Sequence, residues 1–223
     1  MNKNREIKSF VLRSSRMTSL QKKAYKTLYD LHGIEYSENI LDFNKIFKVK
    51  DIIIEIGFGM GEATIEIAEK NRDRGYIAID VHKPGIGKLL DEIEKKKLDN
   101  IKIIEYDAVK IFEKMIPNES LTGVHIFFPD PWPKKRHHKR RLIKEDFIKL
   151  ISTKLKKNSY IYICTDWENY AEQILDLLNN SKLFKNKYNG YAPKQIWRPI
   201  TKFETKGIKE NHKIWEVFFE KKD

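Results

Sequence analysis

The stretch Asp51-Ile52-Ile53-Ile54-Glu55-Ile56-Gly57-Phe58-Gly59-Met60-Gly61-Glu62 carries the strongest fold signal in the chain. The isoleucine-rich run at 52–56 reads as a buried strand. Glycines at alternate positions follow, and then a helical pattern over 62–71 with Ile65 and Ala68 turned inward. Strand, glycine bend and helix together open a βαβ unit.

The same alternation continues outward. Strands are expected at 75–81, 101–106, 121–128 and 160–165, with helices at 84–98, 108–115, 144–156 and 167–178, and a late aromatic strand at 212–220. The expected fold class is α/β: a Rossmann-like, doubly wound, mostly parallel sheet. Residues 49–223 read as a single domain. Residues 1–48 read as a basic arm and helix carrying Arg5, Arg13, Arg16, Lys22 and Lys23. Thr18 and Gln21 have capping-box spacing before a helix that should run to about 29. That arm is either a solvated terminus or a phosphate-binding segment.

Open α/β sheets bind ligands beyond the carboxyl ends of their strands. The glycine spacing at Gly57, Gly59 and Gly61 is GxGxG, not the GxGxxG of dinucleotide folds. Glu55 precedes the bend, where a carboxylate repels a pyrophosphate but suits a phosphate-free ligand with a cationic end. S-adenosylmethionine has both properties; NAD, with its pyrophosphate, does not. A dehydrogenase would also need a substrate domain, and the chain offers no segment for one. Asp80 ends the second expected strand, where an acid accepts hydrogen bonds from ribose hydroxyls. Asp107 ends the third, placed either to accept from an adenine amino group or to cap the helix at Ala108.

After the fourth expected strand comes Phe127-Phe128-Pro129-Asp130-Pro131-Trp132-Pro133. The flanking prolines fix local φ and hold the Asp130 carboxylate stiffly. Lys134-Lys135-Arg136-His137-His138-Lys139-Arg140-Arg141 follows without an acid. Beside Trp132, a surface on which a base can stack, this run reads as an RNA-binding segment. His137 and His138 make a poor metal site, since no Cys or carboxylate triad has ligand spacing around them, and no metal is expected. Asp166 ends the fifth strand and is expected to contact substrate, although it or Thr165 is equally placed to cap the following helix.

Composition agrees. The chain has 223 residues, 40% hydrophobic, which is enough for a core. Its net charge of +12 favours a polyanionic partner. No apolar run reaches the roughly 20 residues needed to span a bilayer, and the polar N-terminus lacks a signal peptide's apolar stretch. A single cysteine, Cys164, agrees with a reducing compartment. A cytoplasmic location and no membrane partner are expected.

The chain closely resembles the bacterial tRNA (guanine-N7-)-methyltransferase family. The matching segments are EIGFGMG at 55–61, DVHKPGIG at 80–87, DAV at 107–109, FFPDPWPKKRHHKRR at 127–141, TDWENYA at 165–171 and RPITKFETKG at 198–207. SFVLRSSRMTSLQ at 9–21 also looks like the family's arm. The resemblance implies a class I methyltransferase fold with one antiparallel strand near the C-terminus. It implies S-adenosylmethionine as cofactor, with contacts at Glu55, Asp80, Asp107 and Asp130. It implies substrate contacts at Lys134, Asp166, Thr201, Lys202, Phe203 and Glu204, and RNA contact across Arg136, His137, His138, Lys139, Arg140 and Arg141. The implied target is N7 of the guanine at conventional position 46 in the tRNA variable loop.

The sequence departs from the family's pattern in places. Asp80 stands where many relatives have Glu, Pro133 where His is common after the Trp, His138 for a usual Asn, and Glu210-Asn211-His212 near a usual Gly-His pair. Asp130 is the expected catalytic residue, and the protein is expected to act as a monomer or homodimer. The rival functions are methylation of another RNA, such as rRNA, and a non-catalytic RNA-binding module.

Overall fold

Strand β1 (Ile52–Ile56) is buried at every position. The structure, a computed structural model, describes residues 8–10, 16–201, 204–205, 207 and 212–222. The other strands are β2 (Gly75–Asp80), β3 (Ile101–Glu105), β4 (Leu121–Phe127), β5 (Leu155–Thr165), β6 (Phe184–Asn186) and β7 (Trp215–Lys221). They form one seven-stranded sheet in the order β3-β2-β1-β4-β5-β7-β6. Pairings from β3 across to β5 are parallel, and β7 runs antiparallel to both β5 and β6.

The isoleucine at nearly every position of β1 is explained by two covered faces. Ile52, Ile54 and Ile56 join a cluster with Phe112, Ile148, Ile151 and Ile174. These come from helices α5 (Ala108–Lys114), α6 (Glu145–Lys154) and α7 (Glu168–Asn179). Ile53 points the other way, into a cluster with Ala63, Ile67, Leu89 and Ile93. These belong to α3 (Glu62–Lys70) and α4 (Lys83–Lys96).

Helix α1 (Ser19–His32) begins at the expected capping box. The Thr18 N–H donates to Gln21 Oε1 at 2.8 Å, and the Gln21 N–H to Thr18 Oγ1 at 3.2 Å. Its Ala24 and Tyr29 share the second cluster, so α1 packs onto the same layer as α4. The helix continues to His32, beyond the expected 29.

Some short elements leave no mark in the sequence pattern. Helix α2 (Phe43–Ile46) and strand β6 are too brief to show a period. Strand β5 starts at Leu155, where the sequence pattern predicts helix as far as 156. Leu155 pairs with Leu121 of β4 across an irregular register, and that long-range pairing overrides the helical preference of Leu-Lys-Lys. Among the described residues no helix is long and apolar enough to cross a membrane.

Candidate active site

The strand order reverses between β1 and β4: the chain winds outward from β1 to β3, then returns to lay β4 on β1's other side. Such a switch point opens a crevice at the strands' carboxyl ends. Ile56 and Ile126 are register partners there. The glycine loop leaves β1 and the proline loop leaves β4, so the two most distinctive motifs flank one crevice. It holds a cavity of about 490 Å³, lined by Gly57, Gly59, Asp80, Tyr106, Phe128 and Asp130 among others.

Gly59 has φ +60°, and nothing lies within 4 Å of where a Cβ would stand. The loop therefore leaves open space that a side chain would fill, in a conformation few L-residues adopt. On its other side the loop rests on α4. A Cβ on Gly85 would come within 1.7 Å of the Gly59 carbonyl oxygen, so helix and loop touch only because residue 85 is glycine. Gly61 stands at the N-cap of α3 and faces Leu89, not the cavity.

The expected cofactor acids divide by depth. Asp80 lines the cavity and braces the loop. Its Oδ2 accepts from the Gly59 N–H at 2.8 Å, and Oδ1 accepts from the N–H groups of Val81 and His82 at 2.7 and 2.9 Å. Burial pushes its carboxyl above the ordinary value, while those donors pull the other way. Three bonds leave about one of a carboxylate's four acceptor positions open.

Glu55 lies beneath the loop, 3% exposed, and does not line the cavity. Burial pushes its carboxyl up to about 7. Asp107 caps α5, accepting from the Val109 N–H at 2.8 Å and the Lys110 N–H at 3.3 Å through one oxygen, Oδ1. It also lines a second cavity of about 470 Å³, which shares Phe10, Val81 and Tyr106 with the first.

The proline loop is pinned at both ends. The Phe128 N–H donates to the Cys164 carbonyl at 2.8 Å, and the Pro131 carbonyl accepts from Arg141 Nε at 2.8 Å. Phe128 and Trp132 have φ of +50° and +47°. Bulky side chains in the left-handed region cost about 1–2 kcal/mol each, and such strain gathers at functional sites. Nothing in the residue types signals it.

The basic run forms a 3-10 helix (Lys135–Arg140). Residues three apart eclipse in that helix, so the run sorts into columns. Arg136 and Lys139 are exposed. His137 and Arg140 turn toward Trp132, the ring of His137 edge-on at 5.9 Å and the guanidinium of Arg140 over the indole at 4.5 Å. Trp132 also donates from Nε1 to the Ser9 carbonyl at 3.1 Å. The indole expected to stack on a base is therefore covered on one face by the protein's own arginine. Partial desolvation and four cationic neighbours hold the His137 imidazole below its ordinary value.

His138 and Arg141 turn inward. Arg141, expected to contact RNA, is 1% exposed. Besides Pro131 it donates to Gln173, to Asn169 at 3.0 Å and toward His138 Nε2 at 3.2 Å, with its guanidinium 4.7 Å from the Tyr170 ring. No carboxylate partners it among the described residues, and desolvation lowers its pKa. Burial among α7 side chains removes it from the RNA-facing set.

Lys134 is exposed at the head of the 3-10 helix. Asp166 does not cap α7, whose N-cap, Trp167, makes no side-chain cap bond. Its carboxylate lies 3.8 Å from His212 Nδ1. Thr201 Oγ1 accepts from the Glu204 N–H at 3.1 Å. Glu204 is 2% exposed and committed to Arg198, whose Nη1 and Nη2 donate to its two oxygens at 2.6 and 2.8 Å. Lys202 and Phe203 lie outside the described residues.

Residues 49–217 match a protein-family model described as "Putative methyltransferase". A tRNA (guanine-N(7)-)-methyltransferase from Nitrosospira multiformis is 48% identical over 98% of this chain and 96% of its own length. The enzyme of the same name from Neisseria meningitidis serogroup B is 47% identical over 97% of this chain and 92% of its own.

The chain belongs to the tRNA (guanine-N(7)-)-methyltransferase family.

Solved structures share its fold at low identity. The 16S rRNA methyltransferase KamB superposes with a TM-score of 0.59 at 12% identity, covering 83% of this chain and 95% of its own. SMU.1697c from Streptococcus mutans, solved in complex with SAH, does so with a TM-score of 0.52 at 14% identity, covering 92% and 99%. The expected α/β methyltransferase fold is thus borne out.

In this family member, residues to which the sequence motifs gave no role hold much of the site's framework. Gly85 seats the glycine loop. Arg198 and Glu216 form a buried cluster with Glu204, Arg198 Nη2 donating to Glu216 Oε1 at 2.7 Å. Burial pushes the Glu216 carboxyl up to about 7, and its Oε2 has no hydrogen-bond partner among the described residues. The available signal was the Arg-Pro pair opening the 198–207 segment, whose spacing suggests no chemistry.

Proposed function

We propose that this protein transfers the methyl group of S-adenosylmethionine to N7 of a tRNA guanine, the variable-loop guanine at conventional position 46. The observation that carries the reading is the shared crevice: a glycine loop with a deep acid on one wall and a proline-held Asp130 on the other. The cavity fits the cofactor's chemistry. Its volume, about 490 Å³, lies in the range of small-molecule sites. Apolar Ile79, Ile126 and Leu142 line it beside Asp80, which suits a nucleoside. Asp80, Gly57 and Gly59 would hold the cofactor from the cavity wall and Asp107 from the adjoining cavity, while Glu55 would act on its charge from beneath the loop. When bound, S-adenosylmethionine supplies an electrophilic sulfonium methyl.

Guanine N7 carries a free lone pair at neutral pH, so no side chain is needed as a base. The protein's work is then alignment. Asp130 bears a carboxylate toward a ring that becomes positive on methylation, and fixed negative charge lowers that barrier. Asp166 offers an acceptor to the N1–H and exocyclic amine that distinguish guanine. Lys134 and the outward column of the 3-10 helix face phosphate. Incubation with labelled methyl donor and unmodified tRNA, followed by cleavage at 7-methylguanosine, tests the reading. Label confined to rRNA, or absent, overturns it.

Phosphate binding by the outward column has its own readout. Arg136→Ala combined with Lys139→Ala should weaken tRNA binding and reduce the slope of log K against log salt by about two, roughly one for each cation removed from the RNA backbone. Filter binding at several salt concentrations checks this, and an unaltered slope removes both residues from the phosphate path.

Cofactor binding should also depend on pH. The buried Glu55 carboxyl titrates at about 7. Because its pKa is raised on folding, its contribution to stability is fully present below the ordinary carboxylate range and is lost as pH rises through 7. A cationic ligand favours the ionised form, so cofactor affinity should climb roughly tenfold between about pH 6 and 7.5. Calorimetry reads this directly, and Glu55→Gln should flatten the profile. A wild-type profile already flat would take Glu55 out of the cofactor's charge balance.

A further inference from the structure

Arg198 is wholly buried, yet it lies in the sequence just before the segment expected to meet the guanine. Its guanidinium joins separate parts of the fold. Nη1 and Nη2 fork onto Glu204, Nη2 also donates to Glu216 of β7 at 2.7 Å, and Nε donates to the Tyr162 hydroxyl of β5 at 3.2 Å. Its Cζ lies 6.0 Å from the Phe127 ring centre, at the end of β4 where the Asp130 loop begins. Glu204 is thereby held against the sheet beside Tyr162 and Glu216. The Thr201 side chain adds a further tie by accepting the Glu204 N–H.

A carboxylate held by both ends of a planar fork is fixed in orientation as well as place. Glu204, so held and buried, is poorly placed to give an oxygen to a base edge as well.

The geometry points to Arg198 as a positioning residue for the guanine side of the site, with Glu204 acting through Arg198 and not by touching the base. This rests on the reading of a guanine-N7 site given above. The clasp sets the distance between Glu204 and the Asp130 loop. A displacement of about 1 Å there lowers turnover by about 100-fold. Affinity for tRNA, supplied mainly by phosphate contacts, is set elsewhere.

The test is a double-mutant cycle on tRNA methylation with Arg198→Lys and Glu204→Gln. Lysine keeps the buried charge but cannot fork, which makes it safer for folding than alanine. Arg198→Lys should lower kcat by about 100-fold, with KM for tRNA and cofactor affinity by calorimetry within a few-fold of wild type. The double variant should be no worse than the poorer single, because both changes open one clasp. Additive losses would mean that Glu204 meets substrate independently, and they overturn the proposal, as does normal kcat in Arg198→Lys. If Arg198→Lys fails to melt cooperatively, Tyr162→Phe decides, since it removes one bond from Nε. A several-fold loss confined to kcat supports the clasp, and an unchanged kcat overturns it. A wild-type enzyme without activity on tRNA would instead sink the underlying functional reading.

Discussion

Asp130→Ala should lower kcat for tRNA methylation by about 100- to 1000-fold and leave tRNA affinity nearly unchanged, the loss expected when a preorganised charge is removed from a transition state. The physical cause lies in the backbone. Pro129 and Pro131 fix φ on both sides of Asp130. Phe128 and Trp132 hold left-handed conformations just outside them. The Phe128 N–H and the Pro131 carbonyl are tied to the body of the domain. A carboxylate held this firmly needs no reorganisation as positive charge develops on the purine. Its removal should leave phosphate contacts along the basic run intact, which is why binding survives. Asp130→Asn keeps the shape and discards the charge, so it separates the two contributions. Single-turnover kinetics with either variant checks the expectation. A kcat within a few-fold of wild type for both would remove Asp130 from the chemistry.

Arg141→Ala should destabilise the protein by about 3 kcal/mol, because buried acceptors lose a charged donor together. For a chain of this size that corresponds to a fall in Tm of about 6–12 °C. The acceptors are the Pro131 carbonyl, Gln173 and Asn169, and only the first belongs to the proline loop. Activity should therefore fall as well, since the loop that carries Asp130 loses its distal anchor. Exposed Arg136, a few residues earlier, should show the opposite pattern: no change in Tm and a weaker, less salt-sensitive hold on tRNA. Thermal melts of the two variants side by side make the comparison. An Arg141→Ala protein with wild-type Tm and a reduced salt slope would return Arg141 to the RNA-facing set.

The contrast between Arg136 and Arg141 marks where the amino-acid order is legible and where it is not. The isoleucine run, the glycine bend and the acids at strand ends stand where their local patterns put them. Strand and turn preferences are short-range, and the sheet's carboxyl edge follows from strand–helix alternation. The capping box at Thr18 and Gln21 formed as its spacing indicated. The basic run shows in the sequence as a block of charge, and within that block its members look alike.

Folding makes them different. A 3-10 helix sends Arg136 and Lys139 outward in one column, and Arg141, just past its end, turns onto α7. Glu204 follows the same course: a carboxylate in a motif becomes half of a buried fork once Arg198, Tyr162 and Glu216 meet around it.

The α/β winding, the two crevice motifs and the family were all written in short-range patterns along the chain. Which charges reach solvent, and which are locked into the framework, emerged only when distant segments packed together. A side chain's burial depends on partners tens of residues away, and no local period encodes their arrival.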